Sequence, residues 1–299
     1  MNVKGQEKLW RILQDKLEML LAGNQLPEAL RVAETALELA QRVFPENHPS
    51  LAQSFERLGQ IHDLRDKDSE AKAFLVQALA IMEKNDPPDQ RAIYRLARRL
   101  AYLCDVGSRE EEAIKYYEKA IQAGSELDNV PHSDLGTMLN NVALIYRRSG
   151  QGNTAEPYYL QALALYEKQV GSEHVDVAAV LNNLGVFYTS ENRLEEAEQM
   201  HQRALAIRRR VNPKGHSDIA QSKCNLAVVY HSRGDLTRAG ELYQESLRQW
   251  EGVARPSEDY EIVASNYADL LRSLGKGRRA GAIESRARKI RARAEVGPA

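Results

Sequence analysis

Residues Leu181–Arg210 read LNNLGVFYTSENRLEEAEQMHQRALAIRRR, and most of this pattern recurs on both sides of it. Upstream, Leu139–Ala164 read LNNVALIYRRSGQGNTAEPYYLQALA. Downstream, Cys224–Leu247 read CNLAVVYHSRGDLTRAGELYQESL. Self-similarity at a fixed interval is the signature of a repeat architecture, so the chain is first of all a series of similar units.

The apolar spacing inside one unit is helical. Leu181, Leu184, Gly185 and Tyr188 lie at i, i+3, i+4 and i+7, which places them on one face of a first helix. After the polar break SENR, a second apolar face follows on Leu194, Ala197, His201 and Ala204. Clusters of Pro, Gly, Asn and Asp separate the units and predict helix ends and caps.

An alanine marks the same register of every unit, at intervals of 42 and finally 41 residues: Ala29, Ala71, Ala113, Ala155, Ala197, Ala239 and Ala280. A second small residue follows seven positions later in each unit, and small residues let two antiparallel helices approach closely. The sequence therefore predicts an all-α fold of seven antiparallel helix pairs. We expect a single array over 1–299, with repeats at 8–48, 50–88, 91–130, 134–174, 176–216, 218–257 and 259–294.

Composition adds few constraints on function. Lys and Arg total 41 against 42 for Asp and Glu, so the net charge of -1 gives no global attraction to nucleic acid or membrane. The two cysteines, Cys104 and Cys224, are far apart, which fits a reducing compartment. The start of the chain is too charged for a signal peptide, and no apolar run approaches the ~20 residues that span a bilayer. We expect a cytoplasmic protein without a membrane or nucleic-acid partner.

The order Leu-Gly, aromatic, Ala, Ala in these units resembles the tetratricopeptide repeat (TPR). The longer period, the Asn-Asn of LNNLG and the linkers EHVDVA and GHSDIA resemble the repeats of the kinesin light chain family. The resemblance implies a right-handed α-solenoid whose first helices line a concave wall. It also implies that the chain binds an extended peptide of another protein.

An asparagine precedes the small residue of the first helix by two positions in the last four units: Asn141, Asn183, Asn225 and Asn266. Asparagine is unfavourable inside a helix, so its recurrence needs a reason. One interpretation is that the amides hold the backbone of a bound peptide, as the resemblance implies. The other is that each amide bonds across to the neighbouring repeat.

Arginines cluster beside these amides. Arg95, Arg98 and Arg99 stand in the third unit, where RLARRLAYL replaces the Asn-Asn pattern, and Arg147 and Arg148 stand in the fourth. They predict a local basic patch, for which an acidic segment of a partner is the favoured ligand. The alternative is that these arginines are solvated or paired with carboxylates of the repeats themselves. His231 is a further candidate lining residue.

The remaining polar residues favour architecture over chemistry. Histidines recur at helix starts as His48, His132, His174 and His216, too far apart to share a metal ion. The basic end, with Arg286, predicts a polar cap or a surface for anionic ligands. We therefore expect no enzyme activity, cofactor or metal. A peptide sensor and a self-assembling scaffold stay open as alternative functions.

Overall fold

The computed structural model describes residues 3–213, 216–251 and 258–296. These residues form fourteen helices and no strand, which confirms the all-α prediction. The helices are α1 Val3–Ala22, α2 Leu26–Val43, α3 Pro49–Asp63, α4 Asp68–Glu83, α5 Gln90–Val106, α6 Glu110–Ser125, α7 His132–Arg148, α8 Gly152–Val170, α9 Val175–Ser190, α10 Leu194–Val211, α11 Ser217–Ser232, α12 Leu236–Glu251, α13 Glu258–Ser273 and α14 Gly277–Val296.

Consecutive helices form the seven expected antiparallel pairs, and every pair is joined by the same tight turn. One residue of each turn has a positive φ of between 53° and 82°. The next residue donates its N–H to the carbonyl five positions earlier, at 2.8 or 2.9 Å. This is the Schellman end of a helix, in which a left-handed residue lets the last carbonyls find partners. The left-handed residues are Asn24, Asp66, Ser108, Gly150, Asn192, Gly234 and Gly275.

Small residues hold the two helices of each pair together. The seven alanines of the repeat register are completely buried, and the second small residue of each unit is at most 4% exposed. Gly59 shows how close the approach is, because a Cβ there would lie 2.7 Å from Cγ of Leu75. A larger residue at such a position would push the helix axes apart.

Three of the recurrent histidines begin helices as N-caps. The Nδ1 atoms of His48, His174 and His216 accept the backbone N–H two residues later, at 3.1, 3.3 and 3.2 Å. His132 is the first residue of α7. These bonds satisfy backbone donors that a helix start leaves unpaired, which is the structural role expected for histidines in the linkers.

The helices form two compact units, Met1–Ile145 and Tyr146–Ala299, here called unit 1 and unit 2. In unit 1, α2 packs on α3 and α4 packs on α5. In unit 2, α8, α10 and α12 pack on α9, α11 and α13 in turn, and α11 also touches α9 and α13. Five of the first helices, α3, α5, α9, α11 and α13, therefore each pack between two second helices. The single array over 1–299 stays a prediction.

Candidate functional site

Unit 1 contains a groove lined mainly by the first helices α3, α5 and α7, with a volume of about 1070 Å³. We call it the unit 1 groove. Four of the predicted site residues line it together: Arg95, Arg98, Arg99 and Asn141. The arginines lie on the middle helix of the three, whose residues Ala97, Leu100 and Ala101 are buried outside the lining of the groove.

Arg95, Arg98 and Arg99 of α5 each reach a carboxylate on a neighbouring first helix. The Nε and Nη2 atoms of Arg95 donate to both carboxylate oxygens of Glu56, at 2.6 and 2.8 Å. Arg98 Nη1 donates to Oδ2 of Asp134 at 2.7 Å, and Arg99 pairs with Asp63. Because the hydrogen bonds that Arg95 donates to Glu56 favour the charged guanidinium, they raise the pKa of Arg95.

The groove is consequently balanced in charge and is not the basic patch that the arginines alone predict. Its lining includes four arginines and four carboxylates, Glu56, Asp63, Asp89 and Asp134. The sequence analysis left pairing with carboxylates of the repeats open but did not name these acids, because Glu56, Asp63 and Asp134 are single half-buried residues of other repeats. A search at an offset of 36 to 39 residues, one repeat less about one helical turn, would have found all three ion pairs.

The arginines remain open to a ligand despite these pairs. The side chains of Arg95, Arg98 and Arg99 are 51%, 50% and 43% exposed. The guanidinium carbons of Arg98 and Arg99 lie 5.5 and 5.0 Å from the ring centroids of Tyr94 and Tyr102. Stacking of this kind fixes the plane of a guanidinium, which carries five N–H donors.

The recurrent asparagines make bonds within the repeats. Asn141 Nδ2 donates to the Tyr117 hydroxyl at 3.2 Å, beneath the unit 1 groove. In unit 2, Asn225 Nδ2 donates to Oδ1 of Asn182 at 2.8 Å, and Asn266 Nδ2 lies 3.9 Å from the Cys224 sulfur. These are bonds of the kind that the second interpretation describes. Asn183 is also half-buried in α9.

The other predicted site residues lie in unit 2. Arg147 and Arg148 form the end of α7. Arg147 is half-buried beside Tyr159, whose pKa burial raises to about 12 although the arginine opposes the shift. Arg148 is exposed, and His231 is half-buried with its ring edge-on to Tyr243, at a centroid distance of 6.5 Å.

Unit 2 also buries two basic side chains that the sequence did not single out as special. His201 is 1% exposed, and burial together with the charge of Arg208 lowers its pKa to about 4. Arg208 is 6% exposed, and burial lowers its pKa as well. Its Nη1 atom donates to Ser222 Oγ at 2.8 Å and to the Asp218 carbonyl at 3.1 Å.

The basic end of the chain forms α14. Ala280 and Ala287 are buried, and Ile283 and Ile290 are half-buried. Arg286 is exposed and pairs with Glu251 at 3.0 Å. The side chain of Arg293 lies outside the described residues.

Within the described ranges, none of the helices has the length and apolar character to cross a bilayer. The same residues contain no group of three or more His, Cys, Asp or Glu side chains able to hold a metal ion.

Models of the tetratricopeptide repeat match residues 18–84, 134–210 and 219–252, which together make up more than half of the chain. The chain belongs to the tetratricopeptide repeat family. No curated protein matches this TPR chain.

Solved structures support the likeness to kinesin light chain repeats. BtubC (BKLC) from P. vanneervenii is 27% identical over 78% of this TPR chain and 94% of its own, with a TM-score of 0.58. A putative kinesin light chain from Podospora anserina is 21% identical over 69% of this TPR chain and 96% of its own, with a TM-score of 0.55. A TPR protein from Parabacteroides merdae is 16% identical over 96% of this TPR chain and 95% of its own, with a TM-score of 0.60. The expected resemblance is confirmed.

Proposed function

We propose that this TPR chain is a non-enzymatic interaction module that holds an extended peptide segment of a partner protein, one with acidic residues, in the unit 1 groove. The TPR is generally a protein–protein interaction module. The observation that carries the proposal is the row of three half-exposed arginines on α5.

The groove has the dimensions of a peptide site. Neighbouring packed helices lie about 10 Å apart, so a ligand that crosses from α3 over α5 to α7 spans about 20 Å. An extended chain rises about 3.3 Å per residue, and about six residues cover that distance. Where it crosses α5, such a segment meets Arg95, Arg98 and Arg99, which lie within about 6 Å along the helix axis.

Carboxylates of the peptide would exchange with carboxylates of the groove. Half-exposed ion pairs contribute about 0–1 kcal/mol each, so giving one up costs little. A bound peptide also excludes water, and hydrogen bonds between guanidinium and carboxylate strengthen when water is removed. Arg98 and Arg99 each direct one nitrogen to an internal carboxylate, which leaves further N–H donors for a second one.

We extend the proposal to the asparagines and to the remaining predicted lining residues. An amide offers two N–H donors and an oxygen acceptor, so the bonds of Asn141, Asn225 and Asn266 within the repeats use only part of each group. Asn183, Arg147, Arg148 and His231 belong to unit 2, and we propose them, with Asn225 and Asn266, as peptide contacts of that unit. The asparagines would bond to peptide backbone, and the arginines would select charge.

The test uses fluorescein-labelled peptides of equal length, one series rich in Glu and Asp and the other with Gln and Asn in their place. Fluorescence anisotropy should show tighter binding of the acidic series. Arg98→Gln with Arg99→Gln should weaken that binding about 10-fold or more, since each tenfold corresponds to about 1.4 kcal/mol.

Arg203→Gln is the matched control, because Arg203 pairs with Glu167 between second helices, outside the lining of the unit 1 groove. This variant should bind like the unmodified chain. Equal binding of the two peptide series, or equal effects of the groove and control variants, would contradict the proposal.

A further inference from the structure

The exposed face of α1 carries apolar residues at positions that all later first helices bury. Leu9, Ile12 and Met19 are 38%, 52% and 69% exposed. At the repeat interval, the same three positions are at most 7% exposed in each of the six later first helices. Their counterparts in α3 and α5 are Leu51, Ser54 and Ile61, and Ile93, Leu96 and Leu103.

These positions face the preceding helix pair. Trp10 of α1 shows this directly, because its Nε1 atom donates to Ser54 Oγ of α3 at 2.9 Å. Ser54 is the counterpart of Ile12, so Ile12 points to where a further pair would stack. A solenoid end normally presents a polar face to water. Here Lys16, which pairs with Glu28 at 3.2 Å, is the one charged residue within the stripe.

We propose that α1 of a second copy of this chain covers Leu9, Ile12 and Met19 in an antiparallel two-fold contact. An antiparallel contact that sets Leu9 against Met19 of the other copy is centred near position 14, so each Ile12 lies about 3 Å from the axis along the helix and faces Lys16 of the other copy. Leu9 and Met19 lie ten residues apart, about 15 Å along a helix, so the apolar stripe spans about three turns.

The charges of α1 fit this direction. Its first half has Lys4, Lys8 and Arg11 exposed, with one half-buried acid, Glu7. Its second half exposes Asp15 and Glu18, while Lys16 is engaged by Glu28. An antiparallel contact therefore brings the basic half of one helix to the acidic half of the other, whereas a parallel contact would set like charges together.

A head-to-tail contact with α14 fits less well. The outer side of α14 exposes Arg278, Arg279, Arg288 and Lys289. Placing these cations on Leu9, Ile12 and Met19 would move charged groups from water onto apolar side chains. The contact that buries apolar surface against apolar surface is the symmetric one, and a C2 contact closes at two copies.

Sedimentation velocity of the full chain tests the proposal. As concentration increases from micromolar to near-millimolar, the mass should rise from 33.7 kDa towards twice that value. Ile12→Glu with Met19→Glu should keep the mass at one copy. The control, Leu64→Glu with Leu160→Glu, changes two other apolar residues of similar exposure, 52% and 46%, and should dimerise like the unmodified chain.

Charge exchange tests the direction. Lys8→Glu with Arg11→Glu should weaken the dimer, and adding Asp15→Lys with Glu18→Lys should restore it. Circular dichroism confirms that each variant is folded. A constant mass of one copy, which leaves the face to another protein, would overturn the proposal. A mass above that of two copies, which indicates head-to-tail stacking, would also overturn the proposal. So would dimerisation that is unchanged by Ile12→Glu with Met19→Glu.

Discussion

The imidazole of His201 occupies the space that a side chain at position 185 would need. A Cβ built on Gly185 would lie 2.6 Å from Cε1 and 2.7 Å from Nε2 of this buried ring. The same register in the second pair holds Gly59 and Leu75, at 2.7 Å. Glycine is thus required where the residue opposite it in the second helix is packed directly on the first helix.

Gly185→Ala should destabilise the chain. The ring of His201 is 1% exposed and cannot move into water, so the added methyl group overpacks the interior by about 1–3 kcal/mol. Urea unfolding should show this decrease in the free energy of unfolding. Gly281→Ala is the control, because it lies in α14 with no atom within 4 Å of its Cβ position. That change should stabilise α14 by up to about 1 kcal/mol; equal effects of both changes would refute the packing argument.

Acid should weaken the fold through His201. Its pKa is about 4 in the folded chain against 6.5 as the ordinary value, so the unfolded chain binds the proton first. Stability should therefore fall as pH decreases from about 6.5 to about 4, by on the order of 3 kcal/mol, and this contribution should be absent above that window.

His201→Leu should remove this dependence, since a leucine opposite a glycine already occurs at Leu75 and Gly59. The measurement is the free energy of unfolding of both proteins at several pH values. The difference between them should change across the window from pH 6.5 to 4. Parallel curves for the two proteins would show that another group is responsible.

A role of the asparagines in ligand binding can be separated by mutation from their role in stability. Asn225→Ala and Asn182→Ala both delete the same hydrogen bond of 2.8 Å, so each should cost about 1 kcal/mol of stability. Asn182 is 7% exposed and is shielded from ligands, whereas Asn225 is half-buried. Only Asn225→Ala should lower the affinity of unit 2 for a peptide. If both variants lower it equally, the amides are structural.

Neutralising the carboxylates of the unit 1 groove should strengthen binding of an acidic peptide. Glu56→Gln, Asp63→Asn and Asp134→Asn together leave three arginines uncompensated, which should raise the affinity about 10-fold and make it more sensitive to salt. The control is Glu167→Gln, which releases Arg203 outside the groove. Anisotropy titrations at two salt concentrations give the answer; unchanged affinity of the triple variant would show that these carboxylates do not compete with the ligand.

Much of the fold follows from the sequence because its signals are local. The regular spacing of the alanines predicts seven helix pairs. Asp66 and Gly150 lie in turns whose conformation depends on a few neighbouring residues. The charge balance of the unit 1 groove follows less well from the sequence. Arg95 is visible in the sequence, but its charge is compensated by Glu56, 39 residues earlier. These groups meet only because neighbouring helix pairs stack. The sequence of one pair alone therefore predicts a basic surface, whereas the surface in the structure is balanced in charge.

The seven identical turns have a consequence for how the chain can change its length. One extra residue inside a helix would rotate everything that follows by about 100°, turning a buried face towards water. A whole additional unit would instead bring its own left-handed turn and its own small residues, in the same order as its neighbours have them. Evolution of this chain is therefore expected to proceed by gain and loss of complete units, while single insertions are confined to the links between pairs.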